Sequence, residues 1–157
     1  EDFLRNTKEQ KEHQIVVQDI LEQLNTLGKA KAGKTGLLEL DYLVHLYTSL
    51  KLTATEAPSF EKLVQVLHPT PALGIFPRSQ FPLLKAIREG SDFLGSPFGL
   101  RWSAHHFICL VAIRNLRWDK KFYYVDNGCG VVEESLLDQE WRELKSKRES
   151  VKKVFKI

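Results

Sequence analysis

The sequence contains no methionine and begins with Glu1. It is therefore expected to be a piece or a processed product of a longer protein, not a chain read from its own start. Cysteine is nearly as scarce. Cys109 and Cys129 are too few for a disulfide framework and too isolated for a zinc site, so a reducing cytoplasm is the expected setting. No apolar run approaches the roughly 20 residues of a membrane span. No charged-then-apolar leader resembles a secretory signal. An excess of one charge is missing too: charged residues make up 27% and the formal net charge is +3. Without a basic face or tail, nucleic acid is not an expected partner. The densest basic stretch, residues 145–156, is interrupted by Glu149 and reads as a solvated helix face.

The chain does have enough apolar residues for a core of ordinary size, 43% of 157 residues, which fits one domain or a large part of one. Thr7 and Gln10 form a capping-box pattern. Ile15, Val16, Ile20, Leu24 and Leu27 then recur at helical spacing up to Gly28, so a helix is expected over residues 7–27. Residues 28–36 read as a flexible basic loop, and residues 37–46 as a short helical turn or strand. Phe60, Leu63, Val64 and Leu67 share a face of a second helix over residues 59–67. Pro69, Pro71 and Pro77 mark an irregular loop, and residues 79–88 look helical.

Residues 90–99 are glycine-rich and turn-prone. Residues 107–113 form an apolar run of strand length, and residues 121–125 a second strand, joined by a turn at Trp118, Asp119 and Lys120. This hairpin is expected to be central, because its strands are apolar enough to be covered. Gly128 and Gly130 end it. Ser135 is the expected cap of a last helix reaching Phe155, with Trp141, Leu144, Val151 and Val154 as its core stripe. The expected class is α+β, with helices packed on a mixed, mainly antiparallel sheet.

Gly28, Gly33, Lys34 and Thr35 match a phosphate-binding loop pattern. That pattern works only between a strand and a helix. Here a long helix feeds it, so backbone amides would not converge on a phosphate and no nucleotide site is expected.

The residues that carry chemistry are charged. Glu12, beside His13, sits in the first helix. Glu140 and Glu143 lie three apart on one face of the last helix, with Lys147 four beyond. Carboxylates from two helices can hold a hard cation such as magnesium; taken alone, they read more readily as solvated helix charges, with Glu143 and Lys147 as an ordinary surface pair.

Five blocks widen the view: Glu12-His13, the loop Leu67-His68-Pro69-Thr70-Pro71-Ala72-Leu73, Val111-Ala112-Ile113-Arg114, Gly128-Cys129-Gly130-Val131-Val132, and Glu140-Trp141-Arg142-Glu143. In order and approximate spacing they resemble the chorismate-utilising enzymes, a family that includes isochorismate, salicylate, anthranilate and aminodeoxychorismate synthases. The His-Pro-Thr-Pro-Ala form resembles the isochorismate and salicylate branch. Ala72 stands where the amine-transferring branch has threonine, which favours water as the nucleophile.

The resemblance implies that residues 1–157 are the C-terminal part of a chorismate-binding catalytic domain. By the same resemblance, Glu12 and Glu143 would hold Mg2+, with Glu140 nearby through water. Arg114 would pair with a substrate carboxylate, Gly128 would present its backbone amide, and Lys147 would add positive charge. Ala72 and Leu73 would contact chorismate or isochorismate. His45 and His68 are expected to be structural, and His105 and His106 exposed. The general base and general acid of the family lie upstream, so no catalytic residue is assigned here. The implied activity is that of an isochorismate synthase in menaquinone or siderophore synthesis. Salicylate or another chorismate-utilising synthase, or a truncated non-catalytic remnant, is the alternative. A sheet shared with upstream sequence further implies association through an exposed sheet edge or with that upstream segment.

Overall fold

A computed structural model describes residues 6–40, 43–87 and 93–157. Among them the elements run α1 (Thr7–Asn25), β1 (Gly28–Leu40), β2 (Leu43–Ala54), α2 (Phe60–Leu67), a 3-10 turn (Arg78–Gln80), α3 (Phe81–Ile87), β3 (Pro97–Arg101), β4 (Phe107–Val111), β5 (Arg117–Trp118), β6 (Tyr123–Tyr124) and α4 (Leu137–Phe155). The class is α+β. Every pairing is antiparallel and local: β1 with β2, β3 with β4, β5 with β6. No helix among the described residues is long and apolar enough to cross a membrane.

The first helix begins one residue earlier than the capping-box pattern suggests. Asn6, not Thr7, is the cap: it is extended, and its side-chain oxygen accepts from the amides of Lys8 and Glu9. Thr7 is already helical. The helix stops at Asn25 because the chain turns at once into β1.

Residues 28–36, expected as a loop, are strand. Lys and Thr on β1 face solvent along most of its length, so the strand lacks an alternating apolar face. Its regularity comes from β2, with Gly28 opposite Ala54 and Leu37 opposite Leu46. At Gly28 a side chain would run into the Thr53 carbonyl, so glycine permits the close pairing at that end. The α1 helix lies across this hairpin and beside α2. His13 Nε2 lies 2.7 Å from Thr48 Oγ1 on β2, which is in turn 2.7 Å from Thr35 Oγ1 on β1.

The second helix forms as expected, with Ser59 as its cap. The proline loop follows, with cis peptide bonds before Pro69 and Pro77. The helix expected over residues 79–88 is a 3-10 turn leading into α3; Arg88 lies outside the described residues.

The central hairpin expected over residues 107–125 does not form. Strand β4 pairs backwards with β3, where Gly99 sits against Cys109 and the Ile108 carbonyl. Residues 97–99 are therefore strand, not turn. Nor is this hairpin covered: Phe98 is 54% exposed, Leu100 71% and Leu110 50%. Trp118 belongs to β5, and the turn starts at Asp119, whose Oδ1 accepts from the amides of Lys121 and Phe122.

Leu136 holds the cap position of α4, and no side chain caps it. Ser135 instead accepts from the Val132 amide, which tightens the preceding turn. In the expected core stripe Val151 is buried and Leu144 half-buried, but Trp141 and Val154 face solvent. Among the described residues only Leu24 and Val151 are fully buried apolar side chains, beside the polar Lys8, Asp19, Glu140 and Ser150. Charged and hydroxyl tie points, more than a large apolar centre, fill the sheltered positions.

Candidate functional site

The first turn of α1 meets the first half of α4 through charge. Lys8 Nζ lies 2.9 Å from Glu12 Oε1, 2.8 Å from Glu140 Oε1 and 3.4 Å from Glu143 Oε2, with Glu9 Oε1 at 3.9 Å. The three glutamates singled out from sequence are thus brought together, around an ammonium group that sequence reading left aside. Its signal was available: Lys8 stands four residues before Glu12, on one helix face. Lys8 is only 8% exposed and Glu140 6%. Glu12 Oε1 and both Glu140 carboxylate oxygens are shut off from solvent and lack an aligned hydrogen bond.

Lys147 joins the same cluster. It pairs with Glu143 and donates to the Gly128 carbonyl at 2.8 Å. Gly128 therefore shows the site its carbonyl as well as any amide. A side chain at Gly128 would make only an ordinary contact with Leu94, so close approach is not what glycine supplies there. That role falls to Gly130, where a Cβ would collide with the Glu12 carboxylate.

Arg114 has a left-handed backbone, φ 54°, uncommon for a residue with a side chain. Its Nη1 donates to Ser150 Oγ at 3.2 Å, and Ser150 donates to the Lys147 carbonyl. The guanidinium therefore rests on α4 one turn beyond Lys147, within electrostatic reach of Glu143. His45, on β2, feels Arg114, Lys147 and Glu143 as well, so it belongs to the surroundings of the site. His68 ends α2, its amide bonding to the Val64 carbonyl. His105 and His106 are exposed, as expected.

Leu73 packs over Gly95, whose φ of +84° and missing side chain admit it. Leu94 of the same turn faces Gly128. The turn thus links the proline loop to the cluster, with Ala72 exposed on the loop.

The electrostatics follow the crowding. Burial pushes Glu12 above the usual carboxylate range, against the pull of Lys8, and does the same to Glu9. Burial pushes Glu140 up as well, but contacts with Lys8, Ser135 and Cys129 outweigh it, and its net shift is downward. Burial works against Lys8 too, yet its glutamate partners win and raise it further above its ordinary value.

The donors are oxygen carboxylates, the kind a hard cation prefers. In direct ion-pair contact, four carboxylates face two ammonium groups, so negative charge is left over. The donor set therefore suits magnesium chemically. Among the described residues, no three His, Cys, Asp or Glu side chains are grouped so as to hold a metal as they lie; Lys8 Nζ lies among Glu12, Glu140 and Glu143 instead.

Residues 1–156 match the family model described as chorismate binding enzyme. The chain belongs to that family. It is also 33% identical over 147 residues to the salicylate biosynthesis isochorismate synthase of Pseudomonas aeruginosa (strain ATCC 15692). That alignment covers 90% of this chain but 30% of the relative, so the chain spans about a third of the length of the relative it matches.

Proposed function

We propose that this chain forms the Mg2+- and carboxylate-binding part of an isochorismate synthase-like enzyme. The reaction would exchange the C4 hydroxyl of chorismate for a hydroxyl at C2, feeding menaquinone or siderophore synthesis in the cytoplasm. One observation carries the reading: Glu12, Glu140 and Glu143 converge from α1 and α4 beside Lys147, in a chain of this family. The name of the relative, which joins isochorismate to salicylate biosynthesis, favours isochorismate as product over direct salicylate formation.

Glu12 and Glu143 would hold the ion, with Glu140 acting from its sheltered position behind them. Bound Mg2+ would neutralise a substrate carboxylate and act as a Lewis acid. Lys147 supports that charge, fixed by Glu143 and the Gly128 carbonyl. Arg114 would turn its planar fork to the second carboxylate, a geometry that guanidinium matches. Ala72, Leu73 and Gly128 would line the ring's path. Proton transfer needs a base and an acid, which the resemblance puts upstream of these residues.

The test is calorimetry with Mg2+ in the presence of chorismate or isochorismate. The wild type should give binding heat that Glu143→Gln abolishes. Equal binding by both would refute the assignment. Turnover by the full-length protein separates the enzyme from a non-catalytic remnant, which would bind without converting.

A further inference from the structure

Lys8 is the least expected member of the cluster. A lysine is rarely buried unless paired, and this one is buried among four carboxylates from two helices. Glu12 and Glu140 carry sheltered oxygens with no aligned hydrogen bond, and Gly130 leaves Glu12 the room to lie there. An ammonium group is a compact point charge on a flexible stem. It can stand where a small cation would stand, and it can leave. Without a cation between them, three glutamates this close would repel, because like charges at a few ångströms in a poorly solvated site are unfavourable.

We propose that Lys8 is a built-in counter-cation of this site. It holds Glu12, Glu140 and Glu143 in place while no metal is bound, and it competes with a divalent cation for their oxygens. The proposal rests on the Mg2+ reading above. Lys8 acts here as a positioning residue. It keeps α1 and α4 joined through a shared charge, and it sets how much of the ion's binding energy goes into displacing the ammonium. Weak binding of the ion by itself follows from this, since the carboxylates are already neutralised in part.

The experiment compares wild type, Lys8→Met and Lys8→Arg by calorimetry with Mg2+ alone and by thermal melting with and without Mg2+. Lys8→Met keeps the stem and removes the charge. It should melt lower than wild type in the absence of Mg2+, recover on adding it, and bind the ion about tenfold tighter or more. Lys8→Arg, which keeps the charge, should bind no tighter than wild type. Should Lys8→Met fail to fold, reductive methylation of the wild type tests the same point: the Lys8 amine should be protected without Mg2+ and reactive with it. Equal Mg2+ affinity in wild type and Lys8→Met, or Lys8 protection that Mg2+ leaves unchanged, would overturn the competition while leaving the metal site standing. No binding by any variant, with or without chorismate, would overturn the metal reading and this inference together.

Discussion

Arg78 closes a two-pronged ion pair on Asp19, with Nε and Nη2 each 2.7 Å from a carboxylate oxygen. The same guanidinium donates to the carbonyls of Val66 and Leu67. One side chain thus ties the middle of α1 to the end of α2 across the proline loop. Asp19 is 1% exposed and Arg78 28%, so the pair is asymmetric. Arg78→Met should leave a buried, unpaired carboxylate and cost about 3–5 kcal/mol. Asp19→Asn should cost less, because Arg78 can turn towards water. Urea unfolding of the two variants checks the order; a smaller loss for Arg78→Met would contradict it.

Gly130 and Gly128 should respond differently to alanine. At Gly130 a methyl group meets the Glu12 carboxylate, the far end of a flexible side chain. Gly130→Ala should therefore fold with a loss of about 1 kcal/mol or less yet displace Glu12 and weaken Mg2+ binding. Gly128→Ala should leave both nearly unchanged. Melting curves and calorimetry on each variant decide it.

Acid should loosen the fold as its half-buried histidines take up protons. Burial holds His13, His45 and His68 below the ordinary histidine value of 6.5. Arg114 and Lys147 add to the effect at His45, and Arg78 at His68. A lowered histidine binds fewer protons folded than unfolded, so stability rises with pH across this window. The stabilisation is present above 6.5 and lost as pH falls through the folded values. The urea midpoint should be lower at about pH 5.5 than at about pH 7.5. His13→Gln, which can still bond Thr48, should narrow the difference; a midpoint flat across the window would contradict the sign.

The hairpin of β3 and β4 exposes Phe98, Leu100, Ile108 and Leu110, and no other strand among the described residues covers either of its edges. Such surface invites pairing with another chain. Light scattering should show association that grows with concentration, and Leu100→Lys should reduce it. A clean monomer at high concentration that binds no hydrophobic dye would count against this.

These 157 residues by themselves are expected not to convert chorismate at a detectable rate. Water is a poor nucleophile and hydroxide a poor leaving group; under the proposed function, which puts the base and the acid upstream, the lack of each removes about 100- to 10,000-fold. Lys147 is a poor substitute for the base, since its amine is already engaged by Glu143 and the Gly128 carbonyl. A coupled assay on the chain decides. Turnover that Glu143→Gln abolishes would show that the base and acid lie within it.

The helices were legible because apolar spacing and caps announce them: Phe60, Leu63, Val64 and Leu67 after Ser59 needed nothing else. Strand β1 was not, since Lys29, Lys31, Lys34 and Thr35 face water on a ribbon with little to bury. Its partner did carry a signal, the alternation Leu50-Lys51-Leu52-Thr53-Ala54, half-buried and exposed by turns. The apolar run at Phe107 read as a covered strand because such runs usually are. Its cover is not among the described residues, so composition and environment disagree there. At the site Glu12, Glu140 and Glu143 could be named from sequence, whereas for Lys8 the sequence offered only its local spacing four residues before Glu12. Nothing along the chain says that a lysine in the first helix will be met by glutamates more than 130 positions away.

That distance has a consequence for folding. Lys8 and Glu143 are 135 positions apart. The hairpins and single helices can form from neighbours, but the charged clasp exists only once these two distant segments have met, and bringing them together carries the loop-closure entropy of all the residues between them. Anything gripped by the clasp is then linked to global folding, not to a local segment. A pair of dyes placed beside Lys8 and Glu143 would report ligand capture as directly as it reports unfolding.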